Sequence, residues 1–216
     1  MTRKEYRSER VVVSFDPQRC IHARYCVQGL PEVFDPNGRP WINPNLALPE
    51  RVAEVVIRCP TGALKFERKD GGAAEPIPQE NVIAVGINGP LYIRGDIHIK
   101  GPLGETLFED TRVALCRCGE SLNKPFCDNS HKQVSFRDEG ILGDSRLTKE
   151  PTGDGRGLRI TPTVNGPLLL RGEVEIWSAD GETVYRGSKS SLCRCGYSNN
   201  KPFCDGRHAE MDWRDD

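Results

Sequence analysis

Two stretches of this chain carry the same four metal-capable side chains at the same spacing. Cys116, Cys118, Cys127 and His131 follow the order Cys-x-Cys-x8-Cys-x3-His, and Cys193, Cys195, Cys204 and His208 repeat it. Thiolate and imidazole donors suit zinc and iron–sulfur chemistry. Two cysteines one residue apart can project from an extended turn toward a single metal, and a Cys and His four apart lie on one face of a helical turn. Pro125 and Pro202 interrupt the chain just before that turn. Asp128 and Asp205 follow the third cysteine, where a carboxylate can accept backbone N–H groups at a helix start. Asn129 and Gly206 stand where unusual backbone angles are tolerated. Three thiolates and one imidazole are also a recognised zinc set, so spacing alone leaves structural zinc open.

A third group lies near the N-terminus: Cys20, Cys26 and the distant Cys59-Pro60, with His22 and Ala23 between the first two. The cysteines number nine, an odd count that fits poorly with a closed disulfide framework. In a chain without an export signal, clustered cysteines point instead to metal or redox chemistry. His98 is the one histidine outside these groups, and with Glu175 in the matching place of the second copy it reads as a surface strand residue.

The elements that must position these donors begin with a duplication. Asn88-Gly-Pro-Leu returns at Asn165, Cys116-Arg-Cys-Gly at Cys193 and Lys124-Pro-Phe-Cys-Asp at Lys201, always 77 residues on. Each copy opens with short β-branched runs separated by Gly and Pro, such as Leu91–Ile93 and Asp96–Ile99, which predict short strands joined by turns. An aromatic, Phe136 or Trp213, follows each motif. Ahead of the repeats, Arg10–Phe15 predicts a strand leading to Cys20. Pro49–Ile57, apolar at 52, 53, 55, 56 and 57, predicts a helix opened by its proline. Glu67–Pro78 reads as a polar linker and Gly140–Pro162 as a second loose stretch. Gly153–Gly157 lies in that polar stretch without a preceding strand and is no nucleotide fingerprint. The expected organisation is α+β: an N-terminal domain over 1–70, then β-rich modules over 81–139 and 160–216. Modules this small have marginal cores by themselves, so mutual packing of the copies is expected.

The pattern C-x-C-x2-S-x3-P-x-C-D-x2-H, with Ser121, Ser198, Pro125 and Pro202 in place, resembles the CDGSH iron–sulfur (NEET) family. The resemblance implies a 2Fe–2S cluster in each copy, on Cys116, Cys118, Cys127 and His131 and on Cys193, Cys195, Cys204 and His208. One iron would take the paired cysteines, the other the third cysteine and the histidine. It also implies that the two copies pack as an intrachain pair about a pseudo-two-fold axis, in a monomer. Asn129 in the first copy and Arg207 in the second depart from the usual residues inside the motif without removing a ligand.

Cys20 through Cys26, with the later Cys59-Pro60, resembles a bacterial single-cluster ferredoxin in which the middle ligand is Ala23. Gly29–Phe34 and Cys59–Leu64 extend that likeness, and it implies a ferredoxin-like α+β domain. Three cysteines suggest a 3Fe–4S cluster, the form put first here; His22 as a fourth ligand would instead give 4Fe–4S. A domain holding zinc or nothing is the remaining alternative.

Lys and Arg total 30 against 31 Asp and Glu, and mean hydropathy is -0.54, so neither nucleic acid nor a membrane is an expected partner. The first ten residues have basic side chains and no apolar core behind them, so a cytoplasmic protein without a secretory signal is expected. With no nucleophile–base pair or phosphate loop, an enzyme is not expected. One-electron transfer to a redox partner leads. Donation of a cluster to an apoprotein and a zinc-stabilised interaction module are the alternatives. Protons compete with iron for the histidine nitrogen. On mild acidification to about pH 5–6, the two C-terminal clusters should therefore bleach faster than the N-terminal one. His131→Cys with His208→Cys should slow that loss; equal rates would show that the histidines are not ligands.

Overall fold

The structure, a computed structural model, describes residues 3–149 and 157–215, so the Gly153–Arg156 part of the glycine-rich stretch lies outside the described residues. The chain divides into two units, one running to Pro76 and the other from Ile77.

In the first unit the β-branched run Val11–Phe15 forms β2, the middle of a three-stranded antiparallel sheet between β1 (Lys4–Arg7) and β3 (Leu64–Arg68). Two helices, α1 (Tyr25–Gly29) and α2 (Pro49–Val56), complete it. Pro49 opens α2 because its ring nitrogen carries no N–H and the first turn of a helix needs none there. The apolar stripe Val52, Val55 and Val56 joins Val11, Val13, Phe34 and Ile42 in the core. The supposed linker starts inside β3: Arg68 pairs with Asp70 at 2.7 Å and Lys65 with Glu75 at 3.3 Å. The polar composition there reflects ion pairing rather than looseness.

The second unit is one six-stranded sheet built by both copies. Its strands are β4 (Val82–Val85), β5 (Leu91–Lys100), β6 (Thr106–Leu115), β7 (Leu158–Pro162), β8 (Leu168–Trp177) and β9 (Val184–Leu192). Strand β4 pairs antiparallel with β5 and parallel with β8, while β7 pairs antiparallel with β8 and parallel with β5. Each copy's short first strand is thus wedged between its own hairpin and the other's. Ile83, Ile93, Ile97 and Val113 share one core cluster with Ile160, Leu170, Ile176 and Leu192. Neither hairpin could bury that face alone. Mixed helix and strand, with strand predominating, agrees with the α+β expectation. No helix among the described residues is long and apolar enough to cross a membrane.

Three differences from the sequence reading have physical reasons. Leu91–Ile93 and Asp96–Ile99 are not separate strands: β5 runs through Gly95 with a break in register between Arg94 and Ile97. Gly95 keeps the strand continuous because a Cβ there would sit 2.2 Å from Asn81 Oδ1. That oxygen accepts from the Asp96 N–H at 2.9 Å, and Asn81 Nδ2 donates to Glu173 O at 2.9 Å. The stretch after Gly140 also has partners, since Thr148 exchanges backbone bonds with Lys189 of β9, and Leu158–Pro162 is β7. His98 is half-buried, held by Asp96 at 3.0 Å and Glu109 at 2.9 Å.

Gly172, the counterpart of Gly95, has φ +122°, and a Cβ on it would lie 2.5 Å from Gly157 O. Gly172→Ala should destabilise the second unit by about 2 kcal/mol or more through backbone strain. The midpoint of urea unfolding checks this, an unchanged midpoint being the contrary result.

Candidate metal centres

Each motif is a closed loop on the end of a hairpin. Cys116 follows β6, and its N–H donates to Pro125 O at 2.8 Å while the Cys127 N–H donates to Ala114 O at 2.9 Å. Those bonds return Cys127 to the strand end that Cys116 has just left, although ten residues lie between them. Ser121 pins the interior: its hydroxyl donates to Phe126 O at 2.6 Å and accepts from the Asn123 N–H at 3.1 Å. The second loop repeats this, with Cys193 N–H to Pro202 O at 2.8 Å, Cys204 N–H to Ser191 O at 2.9 Å and Ser198 to Phe203 O at 2.7 Å.

The histidines sit on the four-residue helices α3 (Ser130–Gln133) and α4 (Arg207–Glu210). The third cysteine lies before the helix rather than on it, separated by left-handed Asn129 (φ 75°) or Gly206 (φ 96°). Asp128 Oδ1 accepts from the Ser130 N–H at 3.0 Å, and Oδ2 reaches across the loop to the Leu122 N–H at 2.8 Å. Burial works to raise the Asp128 pKa, and these bonds outweigh it and hold the carboxyl below its ordinary range.

The eight donors come together as four pairs. Cys116 Sγ and Cys118 Sγ are 3.6 Å apart, Cys193 Sγ and Cys195 Sγ 3.5 Å, and each Cys–His pair (127 with 131, 204 with 208) has Sγ to Nδ1 at 3.5 Å. Two thiolates on one tetrahedral metal stand about 3.7 Å apart, and a thiolate with an imidazole about 3.5 Å. The residues therefore fit ligand pairs. Among the described residues, no three His, Cys, Asp or Glu side chains surround one metal-ion position. Within each close pair, the hydrogen bond from the partner thiol lowers Cys116 and Cys193 to about 6, while the same bond and burial raise Cys118 and Cys195. Burial pushes Cys127 up to about 12 and lowers His131. The His131 imidazole is thus held neutral, the form that can ligate.

The sequence reading missed the arginine inside each Cys-Arg-Cys. Arg117 is fully buried: Nε donates to Gly89 O at 2.9 Å, and the terminal nitrogens reach Gly86 O and Asp138. Arg194 does the same toward Gly166 O at 2.8 Å, Thr163 O and Asp215. Phe136 and Trp213 cover the two guanidinium planes, at 5.2 and 5.1 Å. The matching Asp138 and Asp215, 77 residues apart like the arginines, were the available signal. The loops also meet each other, since a Cβ on Gly119 would fall 2.5 Å from Cys195 O and one on Gly196 2.7 Å from Cys118 O.

In the N-terminal unit, Cys20 follows a short turn over Pro17–Arg19, Cys26 lies on α1, and Cys59 follows α2. With His22 and Ala23 they line a single cavity of about 470 Å³. His22 (φ 54°) and Arg24 (φ 66°) are both left-handed, which bends the backbone around Ala23. Burial raises Cys20 and pushes Cys26 up to about 11, so ligand binding must displace protons there.

Comparison with known proteins agrees with this division. Residues 6–69 match the family described as a divergent 4Fe-4S mono-cluster. Residues 88–132 and 165–209 each match the iron-binding zinc finger of CDGSH type. The chain is also similar to the uncharacterized protein YjdI of Escherichia coli K12 and to that of strain O157:H7. Each is 36% identical over 64 residues, which is 30% of this chain and 84% of the relative. No solved structure matches the chain.

Removing one partner of a buried ion pair leaves an uncompensated charge. Arg117→Ala should cost about 3–5 kcal/mol by urea unfolding, and Arg117→Lys should recover only part, because an ammonium cannot span Gly86 O, Gly89 O and Asp138 together. Equal stability of Arg117→Ala and the parent would contradict the clamp.

Proposed function

Because the chain belongs to the CDGSH iron-binding family, carrying two such domains in tandem behind a divergent 4Fe-4S mono-cluster domain, we propose that it is a three-cluster, one-electron carrier. Cys116 and Cys118 would hold one iron of the first 2Fe–2S cluster, and Cys127 with His131 the other. Cys193 with Cys195, and Cys204 with His208, would do so in the second. The observation that carries this reading is the presentation of donors as pairs at 3.5–3.6 Å, repeated in both copies. Bound there, the clusters supply one-electron redox chemistry, with an imidazole ligand shifting the potential upward relative to all-thiolate sites.

The chain's own part is to fix donor spacing, exclude water and keep charge balanced. Cys116, Cys118, Cys193 and Cys195 are buried, which limits solvent access to one side of each site. The reciprocal strand pairing and the reciprocal approach of Gly119 and Gly196 support packing of the copies about a pseudo-two-fold axis. Functional boundaries at 1–70, 81–139 and 160–216 enclose all three matched segments.

For the N-terminal cavity, Cys20, Cys26 and Cys59 are the thiolate ligands. His22, lining the same space, is the fourth donor of a 4Fe–4S cluster; without it the three cysteines suit a 3Fe–4S cluster. The partner is a redox protein, and the role is that of a cytoplasmic carrier rather than a catalyst. A second reading, donation of a cluster to an apoprotein, is favoured by the half-buried Cys204 and the partly accessible His208, which an acceptor could reach.

Anaerobically purified protein should contain iron and acid-labile sulfide, with 2Fe–2S signals in EPR only after reduction. A colourless protein holding zinc without sulfide would overturn the proposal. His22→Ala should remove about one iron per chain and leave an oxidised, EPR-active 3Fe–4S centre. An unchanged spectrum would remove His22 from the ligand set.

A further inference from the structure

Trp213 lies five residues beyond His208, and its main-chain N–H donates to His208 O at 2.9 Å. Its buried indole packs with Cys193 and Cys195 of the second site. The same ring reaches the first copy. Nε1 donates to Gly119 O at 3.3 Å, and Lys124 Nζ lies 5.9 Å from the ring centre. Gly119 directly follows Cys118, and Lys124 stands three residues before Cys127, so both contacts fall inside the first ligand loop. Gly119 is left-handed (φ 88°), and a Cβ on it would come within 2.9 Å of Trp213 Nε1. The counterpart of Trp213 in the first copy is Phe136, whose phenyl ring has no N–H to give to Gly196.

We infer that Trp213 is a positioning residue for the first metal centre, supplied by the second copy, so that the two sites are coupled in one direction. The inference rests on the reading of both motifs as cluster sites. A buried carbonyl bonded by an indole N–H holds the Cys118–Gly119 turn, and through it the Cys116–Cys118 spacing. Loss of the N–H leaves that carbonyl desolvated and unbonded. The ring itself also keeps water from the seam between the loops. The second site receives no such bond from Phe136, so its cluster should be indifferent to the size and polarity of that side chain.

The test uses full-length, cluster-loaded protein. A Cys204→Ala background leaves the first CDGSH site as the one able to hold a complete cluster. Adding Trp213→Phe, which keeps an aromatic ring and deletes the N–H, should speed loss of the first cluster to an iron chelator roughly tenfold. It should also shift that cluster's reduction potential, which a merely structural role would leave in place. In a Cys127→Ala background, Phe136→Leu should leave the second cluster's rate within about twofold of its parent. An unchanged rate and potential at the first site after Trp213→Phe would overturn the inference, as would an equal effect of Phe136→Leu on the second. A second measurement needs no change at Trp213. In Cys204→Ala protein labelled with ¹⁵N, the Trp213 indole resonance should shift or broaden on reduction of the first cluster, and an unmoved resonance would contradict the contact. Iron and sulfide analysis of the same samples separates the two claims. Loaded protein with unchanged kinetics sinks the role of Trp213 alone, whereas protein without sulfide sinks the cluster reading beneath it.

Discussion

A guanidinium buried beside a Cys-x-Cys turn is costly to keep, and much of the second unit is arranged to keep it. Arg117 and Arg194 lie in the middle of Cys-x-Cys turns with almost no exposure. Each is held by main-chain carbonyls from the loop that opens its copy and by a carboxylate that follows its motif. The ligand turn, the first loop and the tail of each copy are thereby fixed by one side chain. A buried cation also suits a place where thiolates gather, since it offsets their charge in surroundings of low dielectric. The two-carbonyl fork explains why the residue is arginine, as lysine presents a single point charge.

The second constraint is the interlocking of the copies. Because β4 and β7 each pair with both hairpins, neither copy has a complete sheet without the other. That exchange brings the two ligand loops face to face, close enough that Gly119 and Gly196 cannot carry side chains without displacing the opposite cysteine's carbonyl. Two sites built by duplication thus become neighbours. That adjacency makes the tail of one copy part of the surroundings of the other.

The donors were legible in the sequence because chemistry limits them to a few residue types at fixed spacing. The helix opened by Pro49 and the strand over Val11–Phe15 were legible because their apolar patterns are local. What escaped depended on distance along the chain. The parallel partner of β4 is β8, more than eighty residues on, and nothing in Val82–Val85 marks it. Gly95 looked like a strand break because its need for close approach comes from Asn81, a residue outside the strand. Arg117 drew no reading from the sequence because its partners, Asp138 and the Gly86–Gly89 loop, lie more than twenty residues away on either side. His98, likewise, is flanked by carboxylates that only strand register brings together.

The central claim is that each C-terminal motif offers two ligand pairs for two bridged metals rather than four ligands for one. Anomalous diffraction from crystals of the loaded protein at the iron edge tests it most directly. The account predicts two iron positions in each motif, one between the thiols of Cys116 and Cys118 and one between Cys127 and His131, with the same arrangement in the second copy. A single metal centred among all four donors, or scattering at the zinc edge instead, would contradict it.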